Sequence, residues 1–123
     1  MTRILVVEDT ADNRQILRDL LTSAGFELIE AMDGAAGVAA AVEHLPDLIL
    51  MDIQLPLLDG YEATRRIKAH AATARIPVIA VTSYALSGDE EKARAAGCDG
   101  YVAKPFSPRQ LLATVRTFLD TPR

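Results

Sequence analysis

Five short apolar runs alternate with segments of helical periodicity, and this alternation restricts the fold more than any other feature of the chain. The runs are Ile4–Val7, Phe26–Ile29, Leu48–Met51, Val78–Val81 and Tyr101–Ala103. Successive runs start roughly 20 to 30 residues apart, enough for a strand, a helix and two short loops. The pattern predicts an α/β fold of five βα units, with a parallel sheet between two layers of helices.

The composition of each run predicts its place in the sheet. Runs one, three and four are apolar throughout, as expected of strands covered on both faces. The second run contains Glu27 and is followed by Glu30, and the fifth run is short, so both suit the edges. The predicted strand order is 2-1-3-4-5, that of a flavodoxin-like three-layer sandwich.

The helical segments differ in how strongly they should be anchored. The predicted buried faces are Ile16, Leu17, Leu20, Leu21 and Ala24 in the first helix, and Val38, Val42 and Leu45 in the second. The fourth and fifth helices each follow a capping box, formed by Ser87 with Glu90 and by Ser107 with Gln110. The apolar side chains between residues 89 and 97 are all alanines, so we expect the fourth helix to be weakly anchored.

Composition excludes several classes of protein. Thirteen basic and seventeen acidic residues give a net charge of −4, which disfavours non-specific nucleic-acid binding. The one cysteine, Cys98, rules out an internal disulfide. Every apolar run is far shorter than the ~20 residues of a membrane span. We therefore expect one cytoplasmic domain over residues 1–123, with no output domain and no membrane segment.

Polar side chains follow four of the predicted strands where each strand ends. They are Glu8 and Asp9 after the first strand, Asp52 after the third, Thr82 after the fourth and Lys104 after the fifth. Taken singly, each residue could be a helix cap, a turn residue or a solvated side chain. In an open α/β sheet, however, ligands bind beyond the carboxyl ends of the strands, where the strand order reverses. The topology therefore predicts one site that contains all these groups.

The three predicted neighbouring carboxylates repel one another unless a cation lies between them. Oxygen ligands with open positions suit Mg²⁺, and an ammonium such as that of Lys104 suits phosphoryl oxygens. Asp52 is the candidate nucleophile, which would form an aspartyl phosphate. The predicted chemistry is phosphoryl transfer.

Four sequence strings, in this order on five βα units, resemble a known family. They are VVED at residues 6–9, LILMDIQLPLLDG at 48–60, VTS at 81–83 and KPF at 104–106. Along essentially its whole length the chain resembles the CheY-like receiver domain of bacterial two-component response regulators. Within that family it is similar to the stand-alone, single-domain DivK type.

The resemblance implies that Asp52 accepts a phosphoryl group from a sensor histidine kinase or a histidine phosphotransfer protein. It also implies that Asp9 and Asp52 bind Mg²⁺, together with Glu8 through water and the backbone carbonyl of Gln54. Glu8 stands where many members have aspartate. A receiver of this kind catalyses only its own phosphorylation and slow dephosphorylation, and is not a turnover enzyme.

The resemblance further implies which groups hold the phosphoryl oxygens and respond to them. These are Thr82, the backbone amide of Ser83 and Lys104, followed by a cis Lys104–Pro105 bond, with Thr82 and Tyr101 as the switch pair. Effectors or a second copy of the chain would dock on the face of the fourth helix, fifth strand and fifth helix. Gln54 and Tyr84 flank the site and would set the lifetime of the phosphoryl group.

Other readings stay open at this point. The chain could be a binding module of the same fold that signals without phosphorylation, or a receiver cut from a hybrid histidine kinase. A haloacid dehalogenase-type phosphohydrolase would need a second aspartate where Gln54 stands. A P-loop nucleotide enzyme is disfavoured because no G-x-x-x-x-G-K-[ST] motif occurs.

Overall fold

The computed structural model describes residues 2–55, 58–82 and 89–120. Its strands are β1 (Arg3–Val7), β2 (Glu27–Ala31), β3 (Leu48–Asp52), β4 (Val78–Thr82) and β5 (Gly100–Ala103). Its helices are α1 (Ala11–Ser23), α2 (Gly34–His44), α3 (Gly60–Ala69), α4 (Asp89–Ala96) and α5 (Pro108–Asp120). All the strand pairs are parallel and their order is β2-β1-β3-β4-β5, which confirms the predicted fold class and both edge strands.

The hydrophobic core lies on both faces of the sheet. On one face, Leu5, Val7, Ile49 and Met51 pack with side chains of α2, α3 and α4. On the other face, side chains of the central strands pack against α1 and α5. Successive residues of β1 and β3 therefore alternate between two buried layers, which is why these strands read as continuous apolar runs.

Two predicted helix faces are partly wrong. In α1, Ile16 is 54% exposed, and the buried residues are Leu17 and Leu21. In α2, Val42 lies at the surface, and Leu45 ends the helix in a left-handed conformation with its side chain 51% exposed. The fully buried residues of α2 are Gly34, Gly37 and Ala41, and the predicted Val38 packs half-buried against the core. Gly37 brings α2 close to the Val7 side chain, while Val42 and Leu45 lie on the outer side of the helix.

The helix ends follow local sequence signals. Gly25 lies beyond α1 with a φ of 92°, a conformation that favours glycine. Ser107 Oγ accepts a hydrogen bond from the Gln110 amide at 3.4 Å, so half of the predicted capping box at α5 is present. The capping box predicted at Ser87 lies outside the described residues. Among the described helices, none has the length and apolarity to span a membrane.

The described part of α4 is anchored by small side chains. Its buried side chains are those of Ala93 and Ala96, whereas α1 buries Leu17 and Leu21. Since burying an alanine gains roughly 2 kcal/mol less than burying a leucine, we expect backbone amides of α4 to exchange at least about tenfold faster than those of α1. Hydrogen–deuterium exchange with peptide mass analysis measures this, and equal protection of the two helices would contradict it.

Candidate functional site

Three carboxylates meet where β1 and β3 end. Glu8 and Asp9 follow β1 directly, and Asp52 is the last residue of β3. One oxygen from each of the three carboxylates lies within 4.8 Å of the others. The two strands are adjacent and parallel, with Val7 paired to Met51, so the residues that follow each strand emerge side by side. The strand order thus brings Asp52 to an acidic pair that lies more than forty residues away in sequence.

The loop after β3 fixes the position of Asp52. The backbone amide of Gln54 donates a hydrogen bond to Asp52 Oδ1 at 3.1 Å. Gly60 at the start of α3 donates its amide to the carbonyl of Ile53 at 3.0 Å. A Cβ atom on Gly60 would overlap the backbone carbonyl oxygen of Asp52, so the loop can close this tightly only with glycine at that position.

Lys104, which directly follows the edge strand β5, brings a positive charge to the cluster. Its Nζ lies 2.7 Å from Glu8 Oε1 and 3.7 Å from Asp52 Oδ2. Its backbone amide donates to the carbonyl of Thr82 at 2.7 Å, and the Lys104–Pro105 peptide bond is cis. One ammonium therefore faces two buried carboxylates.

Burial and neighbouring charges shift the pKa values of Glu8 and Asp52 in opposite directions. Burial, with the hydrogen bond and negative charge of Glu8, raises the pKa of Asp52 to about 7, although Lys104 opposes this shift. Burial alone would raise the pKa of Glu8, but hydrogen bonds with Asp52 and Lys104 outweigh it and lower that pKa. Without a metal, Glu8 is therefore the ionised partner of Lys104, while Asp52 retains a proton up to near-neutral pH. A divalent cation favours ionisation of both groups, and the all-oxygen donor set fits Mg²⁺.

We expect Asp52→Asn to stabilise the metal-free protein by about 1–3 kcal/mol at pH ~8. The folded-state pKa of Asp52 is higher than its ordinary value, so the wild-type protein loses stability as the pH rises from about 4 to about 7. The amide of the variant has no proton to lose, so the variant avoids this loss. Urea unfolding in EDTA at about pH 5 and about pH 8 should show a larger gain at the higher pH. Asp12→Asn, at an exposed position of α1, is the control, and an Asp52→Asn variant no more stable at high pH would contradict the interpretation.

Arg14 contacts the acidic loop, a contact that motif spacing and periodicity do not predict. Its Nη1 atom donates hydrogen bonds to the backbone carbonyls of Glu8 and Asp9, both at 3.0 Å. The Thr10 amide also donates to Glu8 Oε2 at 3.2 Å. One weak signal was present in the sequence: an arginine in the opening turns of a helix lies near the positive end of the helix dipole, so it needs a specific partner.

The remaining predicted residues have different positions. Thr82 is buried at the end of β4, and Tyr101 is half-buried on β5. Gln54 is exposed, and its amide contacts Asp52 as described. Ser83 and Tyr84 lie outside the described residues.

A surface cavity of about 450 Å³ opens next to the cluster, between α1 and the segment after β5. It is lined by Asn13, Ile16, Leu17, Lys104, Pro105 and Phe106. Ile16 is thus exposed beside the candidate site, where its side chain is accessible to another molecule.

Comparisons with known proteins show the family of the chain. The family model of the response regulator receiver domain matches residues 4–116. The polar-differentiation response regulator DivK of Brucella anthropi is 43% identical over 116 residues, which cover 94% of each chain.

Solved structures of other proteins share the fold of this chain. The receiver domain of the sensor histidine kinase PA1611 of Pseudomonas aeruginosa has a TM-score of 0.92 and 39% identity over 98% of both chains. Its crystal structure contains a magnesium ion coordinated in the active-site cleft. The chemotaxis protein CheY4 of Vibrio cholerae has a TM-score of 0.91 and 28% identity over 96% of this chain and 98% of that one. Because the family model and these relatives cover nearly the whole chain, it belongs to the response regulator receiver domains, whose typical role is to accept a phosphoryl group.

Proposed function

We propose that Asp52 accepts a phosphoryl group from a phosphohistidine of a sensor histidine kinase or a histidine phosphotransfer protein, in a Mg²⁺-dependent reaction. One observation carries the proposal most directly: the Asp52 carboxylate lies 3.7 Å from the Lys104 ammonium inside a cluster of three carboxylates. This arrangement offers a nucleophile, a cation for the phosphoryl oxygens and ligands for a metal at one point.

In the proposed reaction an Asp52 oxygen bonds to phosphorus while the bond from phosphorus to the donor histidine breaks, and the imidazole leaves. Mg²⁺, when bound, supplies the positive charge that the crowded oxygens require. Asp9, Asp52 and the Gln54 backbone carbonyl would hold it directly, and Glu8 would do so through water. The carboxylate cluster supports this assignment, since its oxygens are close enough to share one cation.

Lys104 changes partner in the proposed cycle. Before phosphorylation it pairs with Glu8 at 2.7 Å. Afterwards it holds phosphoryl oxygens together with the Thr82 hydroxyl and the Ser83 backbone amide, since phosphorylation adds about −1.5 to −2 charge units. Movement of Thr82 would then reposition Tyr101.

The signal would leave the molecule through the face formed by α4, β5 and α5, where an effector or a second copy of the chain docks. The few and small buried side chains of α4 support this, because a weakly anchored helix shifts at low energetic cost. Gln54 and Tyr84 would tune the lifetime of the phosphoryl group. In this proposal the chain is a cytoplasmic, single-domain signalling module that carries out one self-phosphorylation per cycle and contacts proteins, not DNA.

A receiver that works within a hybrid histidine kinase is the second candidate. The 39% identity to the receiver domain of the sensor histidine kinase PA1611 favours it. The chemistry at Asp52 is the same in both cases, and the two differ only in whether the donor is part of the same polypeptide.

The cavity suits the protein that donates the phosphoryl group, because an apolar side chain inserted there would lie next to Lys104. We expect Ile16→Asp to slow transfer from a phosphohistidine protein at least about tenfold. Its reaction with acetyl phosphate, which needs no docking surface, should stay within about twofold of wild type. Val42→Asp, at an exposed apolar position on α2, is the matched control. Equal rates for the two variants with the protein donor would contradict this docking site.

Intact-protein mass spectrometry tests the proposed function. With acetyl phosphate and Mg²⁺, the wild-type protein should gain about 80 Da, the mass of one phosphoryl group. Excess EDTA or the Asp52→Ala substitution should abolish this gain. No gain in the wild-type protein, or an equal gain in Asp52→Ala, would overturn the proposal.

A further inference from the structure

The Arg14 side chain is largely buried, and its guanidinium contacts the loop that carries two of the three clustered carboxylates. Its side chain is 15% exposed, and a single nitrogen, Nη1, donates to the backbone carbonyls of both Glu8 and Asp9 at 3.0 Å. Two consecutive carbonyls that share one donor have the orientations of their peptide planes fixed. The directions in which both acidic side chains leave the backbone are fixed with them.

Glu30 on β2 contacts both Arg14 and Arg18. Arg14 Nε lies 3.8 Å from Glu30 Oε1. Arg18 donates to both oxygens of Glu30, from Nε at 2.9 Å and from Nη2 at 2.8 Å. On β2, the next residue after Glu30 is Ala31, whose carbonyl accepts the Glu8 amide at 3.0 Å. The edge strand therefore supports the acidic loop through its backbone and, by way of Glu30, through Arg14.

We propose that Arg14 is a positioning residue for the metal-binding acidic pair. It holds the main chain of Glu8 and Asp9 so that both side chains are directed at Asp52 before any cation binds. The inference rests on the proposed function in one respect, namely that this cluster binds Mg²⁺. Asp9 and Thr10 are both exposed, so without Arg14 the loop would have more freedom to lose when the metal binds.

The direction in which Mg²⁺ affinity changes when Arg14 is removed distinguishes a positioning role from a purely electrostatic one. A positive charge near a cation site repels the cation, so removing Arg14 would strengthen Mg²⁺ binding if its charge were all that mattered. The Glu30 carboxylate offsets part of that charge. A positioning role predicts the opposite result, weaker Mg²⁺ binding in spite of the lost positive charge.

Isothermal titration calorimetry with Mg²⁺ on the full chain tests the proposal without phosphorylation. We expect Arg14→Gln to weaken Mg²⁺ binding about tenfold. Arg18→Gln is the matched control. Like Arg14→Gln it removes one positive charge and one ion pair of Glu30, but it removes no contact with the carbonyls of Glu8 and Asp9. It should stay within about twofold of wild type. Unchanged or tighter binding by Arg14→Gln, or an equal loss in both variants, overturns the proposal.

A second readout excludes damage to the fold as the cause. At saturating Mg²⁺, Arg14→Gln should react with acetyl phosphate within about twofold of the wild-type rate, since excess metal compensates for weak binding. A reduced rate at saturating metal would overturn the positioning role. If Arg14→Gln does not fold, Arg14→Met takes its place, because it keeps the apolar stem and removes every donor, and wild-type or tighter Mg²⁺ binding by that variant would equally overturn the proposal. If the wild-type protein binds Mg²⁺ but gains no phosphoryl group, the proposed function fails while this inference stands.

Discussion

Lys104→Ala is expected to slow the phosphorylation of Asp52 by acetyl phosphate at least about a hundredfold. The ammonium of Lys104 lies 3.7 Å from Asp52 Oδ2, where negative charge builds up as the phosphoryl group arrives. It is held by the backbone bond to Thr82 and by Glu8, so it needs little rearrangement to act. A preorganised charge of this kind stabilises the transition state more than it stabilises the separated reactants.

The decisive comparison uses a lysine elsewhere on the surface. Lys92→Ala removes an exposed ammonium from α4 and should leave the rate within about twofold of wild type. The rate is followed by intact mass at saturating Mg²⁺, so that altered metal affinity does not contribute. A Lys104→Ala rate within about threefold of wild type would show that this ammonium does not assist the transfer.

Asp9→Asn is expected to weaken Mg²⁺ binding by a factor of at least about ten. Hard cations bind carboxylates far better than amides, and Asp9 is the exposed member of the carboxylate cluster, so a metal can reach it from solvent. Phosphorylation should then require a correspondingly higher concentration of Mg²⁺, with its maximal rate changed less than its metal dependence.

Asp12→Asn is the matched control for this variant. It removes the same charge from an exposed position in the first turn of α1, three residues further along the chain. Calorimetry on the two variants compares loss of a proposed ligand with loss of general negative charge. Equal affinities for Mg²⁺ would mean that Asp9 is not a ligand.

The fold could be predicted because edge and central strands have different sequences. Glu27 and Glu30 marked β2 as an edge, and the unbroken apolar runs of β1, β3 and β4 marked them as central. The strand order alone predicted that Asp52 lies next to Glu8, and the structure shows the two side chains together. Topology therefore carried the prediction of the site, since no local motif joins residues so far apart.

Contacts that depend on close packing could not be predicted. The sequence gives Val42 the spacing of a buried residue, but Gly37 brings α2 so close to the sheet that a Cβ there would overlap the Val7 side chain. The pairing of Glu8 with Lys104 depends on the reach of two side chains that are 96 residues apart. Periodicity describes which face of a helix points inward, but not how near the helix lies or which polar atoms meet.

Identification of the modified residue tests the central claim most directly. Borohydride reduces an acyl phosphate of aspartate to homoserine, so reduction followed by peptide sequencing marks the acceptor permanently. After treatment with acetyl phosphate and Mg²⁺, we predict homoserine in place of Asp52 in the peptide that carries β3. Homoserine in place of Asp9, a reduced glutamate at Glu8, or no reduced residue in a protein that has bound Mg²⁺ would contradict the account.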